Sequence, residues 1–371
     1  VSDLALRRVV AIAAKEVRHI ARDPATLFFV VLWPVFELLV LGYAIDTNVR
    51  HVPTVVLDQA RTQESRALVQ SFVSSDDFAI VGDVFSDEAL ARALVAGQAR
   101  VGLKIPADYS RRLELGETAQ VQVLVDGTVS SVTAEVVNVS NAIALRESLQ
   151  RTLGDKALPV ETRPRVLFNP DARSANFFTP GLWVVLSQLV ATMLTATSIV
   201  REKVNGTLEQ LFMTPVRSGE LLFGKLLPYL VLTLLELCLI ALLMRVVFNV
   251  PIHGSFLTLL ALAFPFVLTM LGVGLWISTR ARTHEAAMHL VTATVMPSVF
   301  LSGYVFPLDS MLPVFRYVAR AIPTTWLVDA ARGVILRGAG WPELWPHAVV
   351  LWGMAVGVLA YSVLRFRKRL A

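Results

Sequence analysis

Two stretches of this 371-residue chain have residue types and spacing that could do chemistry. The first is Gly219-Glu-Leu-Leu-Phe-Gly224-Lys225-Leu226, one residue short of a phosphate-cradling P-loop. That chemistry fails on three counts. Leu226 offers no hydroxyl to a magnesium ion, no strand precedes the stretch, and Leu221, Leu222 and Phe223 form helix rather than a loop of backbone donors. Lys225 is therefore expected to anchor a helix at the lipid head groups. The second stretch is the run just before it. Gly206 ends a descending helix, and Thr207 can cap a new one, with Gln210 completing a capping box. Leu208, Leu211 and Phe212 then share a small apolar face, and Pro215 closes the helix. Glu202, Lys203, Glu209 and Arg217 ring that face, the pattern of a short helix built to dock against a partner. Two further acids, Glu37 and Glu236, sit mid-way along apolar runs. There an ionisable group is costly and normally faces a cavity or a partner, so both are candidates for a translocation path.

The rest of the chemistry is quiet. The lone Cys238 lies in an apolar run, which rules out an intrachain disulfide framework or thiol metal cluster. No Ser/His/Asp, metal-ligand or Gly-rich phosphate constellation stands out, so a catalytic role is not expected. Asp76-Asp77 and Asp126-Gly127 read as turn residues, and the Asn138-Val139-Ser140 sequon falls on an expected helix. No basic stripe interleaved with aromatics stands apart from the apolar runs, so no nucleic-acid partner is expected.

The elements that must position these residues are membrane helices. Hydrophobic residues make up 55% of the chain and charged residues only 17%, a balance that fits an integral membrane protein. Apolar runs occur at Leu27–Ile45, from Leu182, and at Leu226–Val247, Phe256–Thr279, His289–Phe306 and Ala348–Leu364. Each approaches or exceeds the roughly 20 residues a helix needs to cross a bilayer. The expected fold is thus mostly α, with six transmembrane helices. The first run is too long for a signal peptide and is expected to stay as an anchor. Lys and Arg collect in 1–26, after the second and fourth runs, and in the tail (Arg365, Arg367, Lys368, Arg369), which puts both termini in the cytosol.

The expected division is a cytosolic amphipathic elbow helix at 1–26, a first span at 27–45, an extracytoplasmic α/β domain at 46–180 and a five-helix bundle at 181–371. Within the bundle, 201–225 is the cytosolic loop and 303–347 an outer segment of short amphipathic or re-entrant helices. In the elbow, Leu6, Val9, Val10, Ala13, Val17 and Ile20 share one face and Arg7, Arg8, Lys15, Arg18 and Arg22 the other, until Asp23-Pro24 breaks the helix. The inserted segment Asp46–Arg173 holds 14 basic and 17 acidic residues, the near balance of a translocated domain. Strands are expected at Thr54–Leu57, Phe78–Val84, Val101–Ile105, Val121–Val125 and Arg165–Phe168. Helices are expected at Ser65–Val73, Glu88–Ala96 and Val132–Leu149, with Asp87 and Asp108 as N-caps. Gly272-Val-Gly274 and the Ser/Thr-rich second span suit close helix packing.

The loop block resembles that of the membrane permeases of type-2 ATP-binding-cassette (ABC) exporters, roughly E-K-x-x-G-T-L-E-x-L-x-x-T-P followed by G-K. Here it reads Glu202-Lys203, Gly206-Thr207-Leu208-Glu209, Leu211, Thr214-Pro215 and Gly224-Lys225. Phe178-Thr179-Pro180-Gly181, Leu301-Ser302-Gly303, Phe306-Pro307, Ile322-Pro323-Thr324 and Arg332-Gly333 extend the likeness over nearly the whole chain. The resemblance implies a second permease subunit, identical or paralogous, in a bacterial cytoplasmic membrane. It also implies cytosolic ABC ATPase subunits that carry the ATP and magnesium this chain does not bind itself. Glu202, Lys203, Gly206, Thr207, Leu208, Glu209, Leu211, Phe212, Thr214 and Pro215 would couple the chain to that ATPase through a short coupling helix. The branch with a large extracytoplasmic domain implies export of a drug or other small hydrophobe. A proton-coupled secondary transporter using Glu37 and Glu236 is the alternative, although no inverted repeat supports it.

Overall fold

The computed structural model describes residues 2–44, 50–127, 130–153, 167–170, 173–207 and 218–365. The chain divides into two compact units, Val1–Asp46 with Val166–Ala371, and Thr47–Arg165. The inserted unit thus closes short of the 46–180 read from sequence, because the second apolar helix already begins at Ser174.

Among the described residues of the first unit, five helices are long and apolar enough to cross a membrane: Pro24–Tyr43, Ser174–Val204, Gly219–Val246, Phe256–Arg280 and Trp341–Leu364. The expected fifth crossing is a helix too, His284–Leu301, but it opens on His284, Glu285 and His289 and stops five residues before Phe306. The Ser174–Val204 helix is the hub. Its apolar window is 83% buried, against 17% for the first span and 22% for the last, so the other helices pack around it.

Small residues permit that packing, as the sequence suggested. A Cβ on Gly274 would lie 2.5 Å from the Thr192 carbonyl oxygen, so only glycine lets the fourth span approach the second this closely. A Cβ on Gly272 would lie 2.9 Å from Val358 Cγ1 of the last helix, whose Ser362 hydroxyl donates to the Gly272 carbonyl at 2.9 Å. The hydroxyls of Thr179, Thr195, Thr197, Thr233 and Thr269 each donate to the carbonyl one turn back in their own helix. In an apolar surround such bonds satisfy the group without a partner helix.

Segment 303–347 folds as short helices, as expected: a 3₁₀ turn Leu308–Ser310, then Pro313–Arg320 and Pro323–Arg332. Pro323–Arg332 buries Thr324, Leu327, Val328, Ala330 and Ala331. Pro313–Arg320 instead exposes Val314 and Tyr317 by more than 70%, and its Arg316 guanidinium bonds back to the carbonyls of Leu308 and Asp309. Arg332 closes the segment. It donates to the carbonyls of Gly303 at 2.8 Å and Tyr304 at 3.1 Å, with its guanidinium 4.0 Å from the Phe177 ring centroid.

The inserted unit is a mixed four-stranded sheet in the order β2-β1-β3-β4. Here β1 is Val52–Asp58, β2 Phe78–Asp83, β3 Val101–Ile105 and β4 Gln122–Val125. β1 runs parallel to both β2 and β3, joined by right-sized helical crossovers, and β4 closes antiparallel on β3. One core is built on Val52, Val56, Leu68, Phe72, Leu103 and Val136, under helices Gln63–Val73 and Ser130–Leu153. The opposite sheet face packs Val55 and Leu57 on Leu90 and Ala93 of helix Asp87–Val95.

Four of the five expected strands form. Arg165 and Val166 of the fifth lie outside the described residues, and Leu167 and Phe168 are not extended, Phe168 turning at a φ of 68°. The caps also need correction. Ser86, not Asp87, caps its helix by accepting from the Ala89 amide. Asp108 stands at the N-cap position as expected, but its side chain makes no capping bond and pairs with Arg112 at 2.5 Å instead.

Candidate coupling site

The sequence block at 201–225 hangs between the second and third spans. Its first leg is described to Thr207. Gly206, at a φ of 69°, ends the hub helix as expected, since a left-handed position is open to glycine at no steric cost. The Thr207 hydroxyl donates back to the Glu202 carbonyl at 3.2 Å, and the amides it is expected to cap lie outside the described residues. Leu208, Glu209, Leu211, Phe212, Thr214 and Pro215 lie outside the described residues, as does Gln210.

Of the four charged residues expected to ring the apolar face, Glu209 and Arg217 lie outside the described residues, and Glu202 turns away from the surface. Glu202 is only 9% exposed. Its carboxylate accepts from Lys15 of the elbow helix at 2.9 Å and lies 2.9 Å from Lys225 of the third span. The Lys225 contact is an ion pair without hydrogen-bond alignment. The Lys225 ammonium donates instead to Glu16 at 3.0 Å and to Ser198 at 3.4 Å. The Tyr229 hydroxyl donates to the second Glu16 oxygen at 2.8 Å. Lys15, Glu202, Lys225 and Glu16 therefore alternate in sign across three helices. This corrects two expectations: Glu202 points inward, and Lys225, 2% exposed, is buried between two carboxylates rather than extended to head groups. Of the pair Glu202-Lys203, only Lys203 is exposed, its ammonium donating to the Ala281 carbonyl at 3.2 Å.

The elbow itself forms as read, Ser2–Arg22, with Asp23 capping the next helix through bonds from the Ala25 and Thr26 amides and Pro24 at its first position. Its apolar face is divided. Leu6, Val10 and Val17 are more than half exposed, whereas Ile20 is buried beside Glu16. The third span meets it at Gly224, where a Cβ would lie 2.8 Å from Ile12 Cβ and 3.0 Å from the Val9 carbonyl. Arg201 adds a second tie from the hub, 3.0 Å from Asp23 and 2.7 Å from His19 Nε2. Arg8 pairs with Glu220 at 3.5 Å.

The electrostatics follow the geometry. Burial alone would raise the Glu16 carboxyl, but the Lys225 charge and the bonds from Lys225 and Tyr229 outweigh it and hold it below its ordinary range. Asp23 is held down by the Thr26 hydroxyl bond first and by Arg201 as well. Such an arrangement does no bond-making chemistry. It makes the elbow and the roots of the second and third spans one mechanical joint.

The two acids of the membrane runs lie elsewhere. Glu236 is 3% exposed and accepts from Ser187 of the hub helix at 2.9 Å, while Trp183 donates its indole N–H to the adjoining Leu237 carbonyl. Glu37 is half-buried in the first span, with one carboxylate oxygen enclosed and unbonded.

Sequence reasoning missed Glu16, although its signal was present: an acid at helical spacing from Ala13 and Ile20, on the face otherwise reserved for apolar residues. It also missed the buried network in which Gln188 bonds Ser298 at 2.7 Å and accepts from Thr324 at 2.6 Å, joining the hub to two later helices. No local spacing announces that triad, since Gln188 lies more than 100 residues from each of its partners.

Comparison with known proteins agrees with this architecture. The family profile described as ABC-2 family transporter protein matches residues 24–364. The chain is 31% identical to the probable multidrug ABC transporter permease YbhS of Escherichia coli (strain K12), over 99% of this chain and 98% of that one. It is 25% identical to the probable multidrug ABC transporter permease YbhR of the same strain, over 96% and 98%. It is 27% identical to the inner membrane transport permease YhhJ, over 98% of each. With a profile covering most of its length and a relative matched end to end, this chain belongs to the ABC-2 family of transporter permeases, the non-enzymatic membrane components of ABC transporters.

Proposed function

We propose that the chain is the membrane subunit of an ATP-driven exporter that moves a hydrophobic small molecule or drug out of the cytosol or inner leaflet. ATP and magnesium belong to a separate cytosolic ATPase, and a second permease subunit, identical or paralogous, completes the path. The chain crosses a bacterial cytoplasmic membrane six times, His284–Leu301 making the fifth crossing, with both termini in the cytosol. The inserted domain then lies outside. Lys203, Gly206, Thr207, Leu208, Glu209, Leu211, Phe212, Thr214 and Pro215 dock on the ATPase, while the buried Glu202 holds the root of that loop. Glu37 and Glu236 line the path.

The observation that carries this reading is the Lys15–Glu202–Lys225–Glu16 cluster. A loop suspended between two spans transmits force only if its roots are stiff, and here both roots are tied to each other and to the elbow. Movement of a docked ATPase would therefore tilt three helices together, biasing the subunit interface between two arrangements.

The test is capture of the ATPase from the native host with tagged chain, wild type beside a Lys203→Glu/Glu209→Lys variant. Glu202 is left intact because its reversal would break the buried cluster. A nucleotide-binding ATPase retained by wild type and lost by the variant is the expected result. No ATPase in either sample, with transport intact, would bring forward proton coupling. Glu236→Gln is the matching test of the path: unchanged transport of every cationic substrate would reduce Glu236 to a structural partner of Ser187.

A further inference from the structure

A cleft of about 1290 Å³ opens within the inserted domain. That exceeds the ~300–1,000 Å³ common for small-molecule sites. One wall is the edge strand. Val121, Val123 and Val125 alternate along it and so point to one side, yet all three stay half-exposed on the face that elsewhere carries the core. Leu68 and Phe72 form part of the floor. The other wall is one stripe of helix Ser130–Leu153, where Val137, Asn141, Ala144, Ser148 and Arg151 recur at four- and three-residue steps, with Ser140 beside Asn141. A largely polar helix stripe thus faces an apolar strand, whose valines pack on the core with one part of their surface and line the cleft with the other.

Two observations define what fits. Ser140 is 8% exposed, and its hydroxyl has no hydrogen-bond partner. A helical serine ordinarily bonds back to its own helix, and a buried hydroxyl left unbonded calls for an explanation. Meanwhile the charged residues lining the cleft balance, with Lys104, Arg112 and Arg151 against Asp108, Glu117 and Glu147. Arg112 pairs with Asp108 and Lys104 with Asp87, each at 2.5 Å, and Glu147 accepts from the Ser71 hydroxyl at 2.6 Å. A lining neutral in sum, with these ions already engaged, disfavours a charged ligand.

We propose that this cleft is a binding site for an uncharged amphiphile, its apolar body against the β4 valines and its hydroxyl or amide head on Ser140. The site goes beyond the export reading and depends on no ATPase. If that reading holds, the cleft gives the inserted domain a ligand of its own.

The experiment uses the full chain in lipid nanodiscs and two diazirine-tailed probes, a monoacylglycerol and an alkane lacking the head, with adducts mapped by peptide mass spectrometry. Wild type should carry monoacylglycerol adducts on the peptides holding Val121–Val125 and Val137–Ala144. Ala144→Trp, which fills the cleft, should cut them at least tenfold while adducts on the membrane helices stay constant. Ser140→Ala preserves shape and guards against a misfolded tryptophan variant. It should lower monoacylglycerol labelling of the cleft about fivefold and leave alkane labelling unchanged. Unlabelled cleft peptides in wild type beside labelled spans would overturn the proposal, as would equal labelling in all three proteins. The readout needs neither ATP nor a partner chain, so its failure is distinguishable from failure of the ATPase capture.

Discussion

Lys225→Met is the sharpest probe of the joint beneath the loop. The ammonium is 3.0 Å from Glu16 and 2.9 Å from Glu202, and its side chain is 3% exposed. Methionine keeps the length of the stem but removes the charge, leaving two buried carboxylates without the cation between them. Removing one partner from a buried ion pair typically costs ~3–5 kcal/mol. The low end applies here, because Glu16 keeps the bond from Tyr229 and Glu202 keeps Lys15. A loss of about 3 kcal/mol, at ~2–4 °C per kcal/mol, lowers the unfolding midpoint by about 6–12 °C. The assay is thermal unfolding of purified protein in nanodiscs. Arg18→Met, on the exposed side of the elbow, serves as control. Glu16→Gln added to Lys225→Met neutralises one orphaned carboxylate and should recover at least ~1 kcal/mol, the non-additivity expected of residues in one network. A Lys225→Met midpoint within 2 °C of the Arg18→Met control, or strict additivity in the double variant, would refute the idea that this cluster binds the three helices.

Three further outcomes follow from the same packing. Glu16 is held below its ordinary 4.5 in the folded chain, so its contribution is fully present above that pH and is lost as the pH falls through the lower folded value; Glu16→Gln should flatten the acid limb of a stability–pH curve. Gly274→Ala drives a Cβ to 2.5 Å from a backbone oxygen of the hub, and separating the second and fourth spans should cost ~1–3 kcal/mol, read as a lower unfolding midpoint. Arg332→Ala removes the bonds to Gly303 and Tyr304 and the stacking on Phe177, a loss of about 3 kcal/mol, whereas Arg332→Lys restores charge without the planar fork and should recover less than half, both measured by thermal unfolding.

Which features were legible in the sequence depended on how far apart the partners lie. Helix and strand existence rests on local periodicity, and Val101–Ile105 lies where its Val/Ile pattern placed it. The elbow's end at Arg22 follows from Asp23-Pro24, and Gly206 terminates the hub because its left-handed backbone position is a property of one residue. The Asp87 cap erred by one position because Ser86 and Asp87 are both competent acceptors, and only the backbone decides which stands outside the helix. The direction of Glu202 and Lys225 was not legible. Either residue alone, beside an apolar run, is best solvated at the head groups, and that is the lower-energy guess for an isolated helix. What reverses it is Glu16, 209 residues from Lys225 in sequence, delivered by a helix that crosses at Gly224. A buried cation is costly without a partner and tolerable with two. The side-chain direction is thus fixed by an encounter that no window along the chain contains. The glycine that permits the encounter stands directly before the lysine that uses it, so Gly224-Lys225 reads as a crossing point and its charge rather than as a fragment of a nucleotide loop.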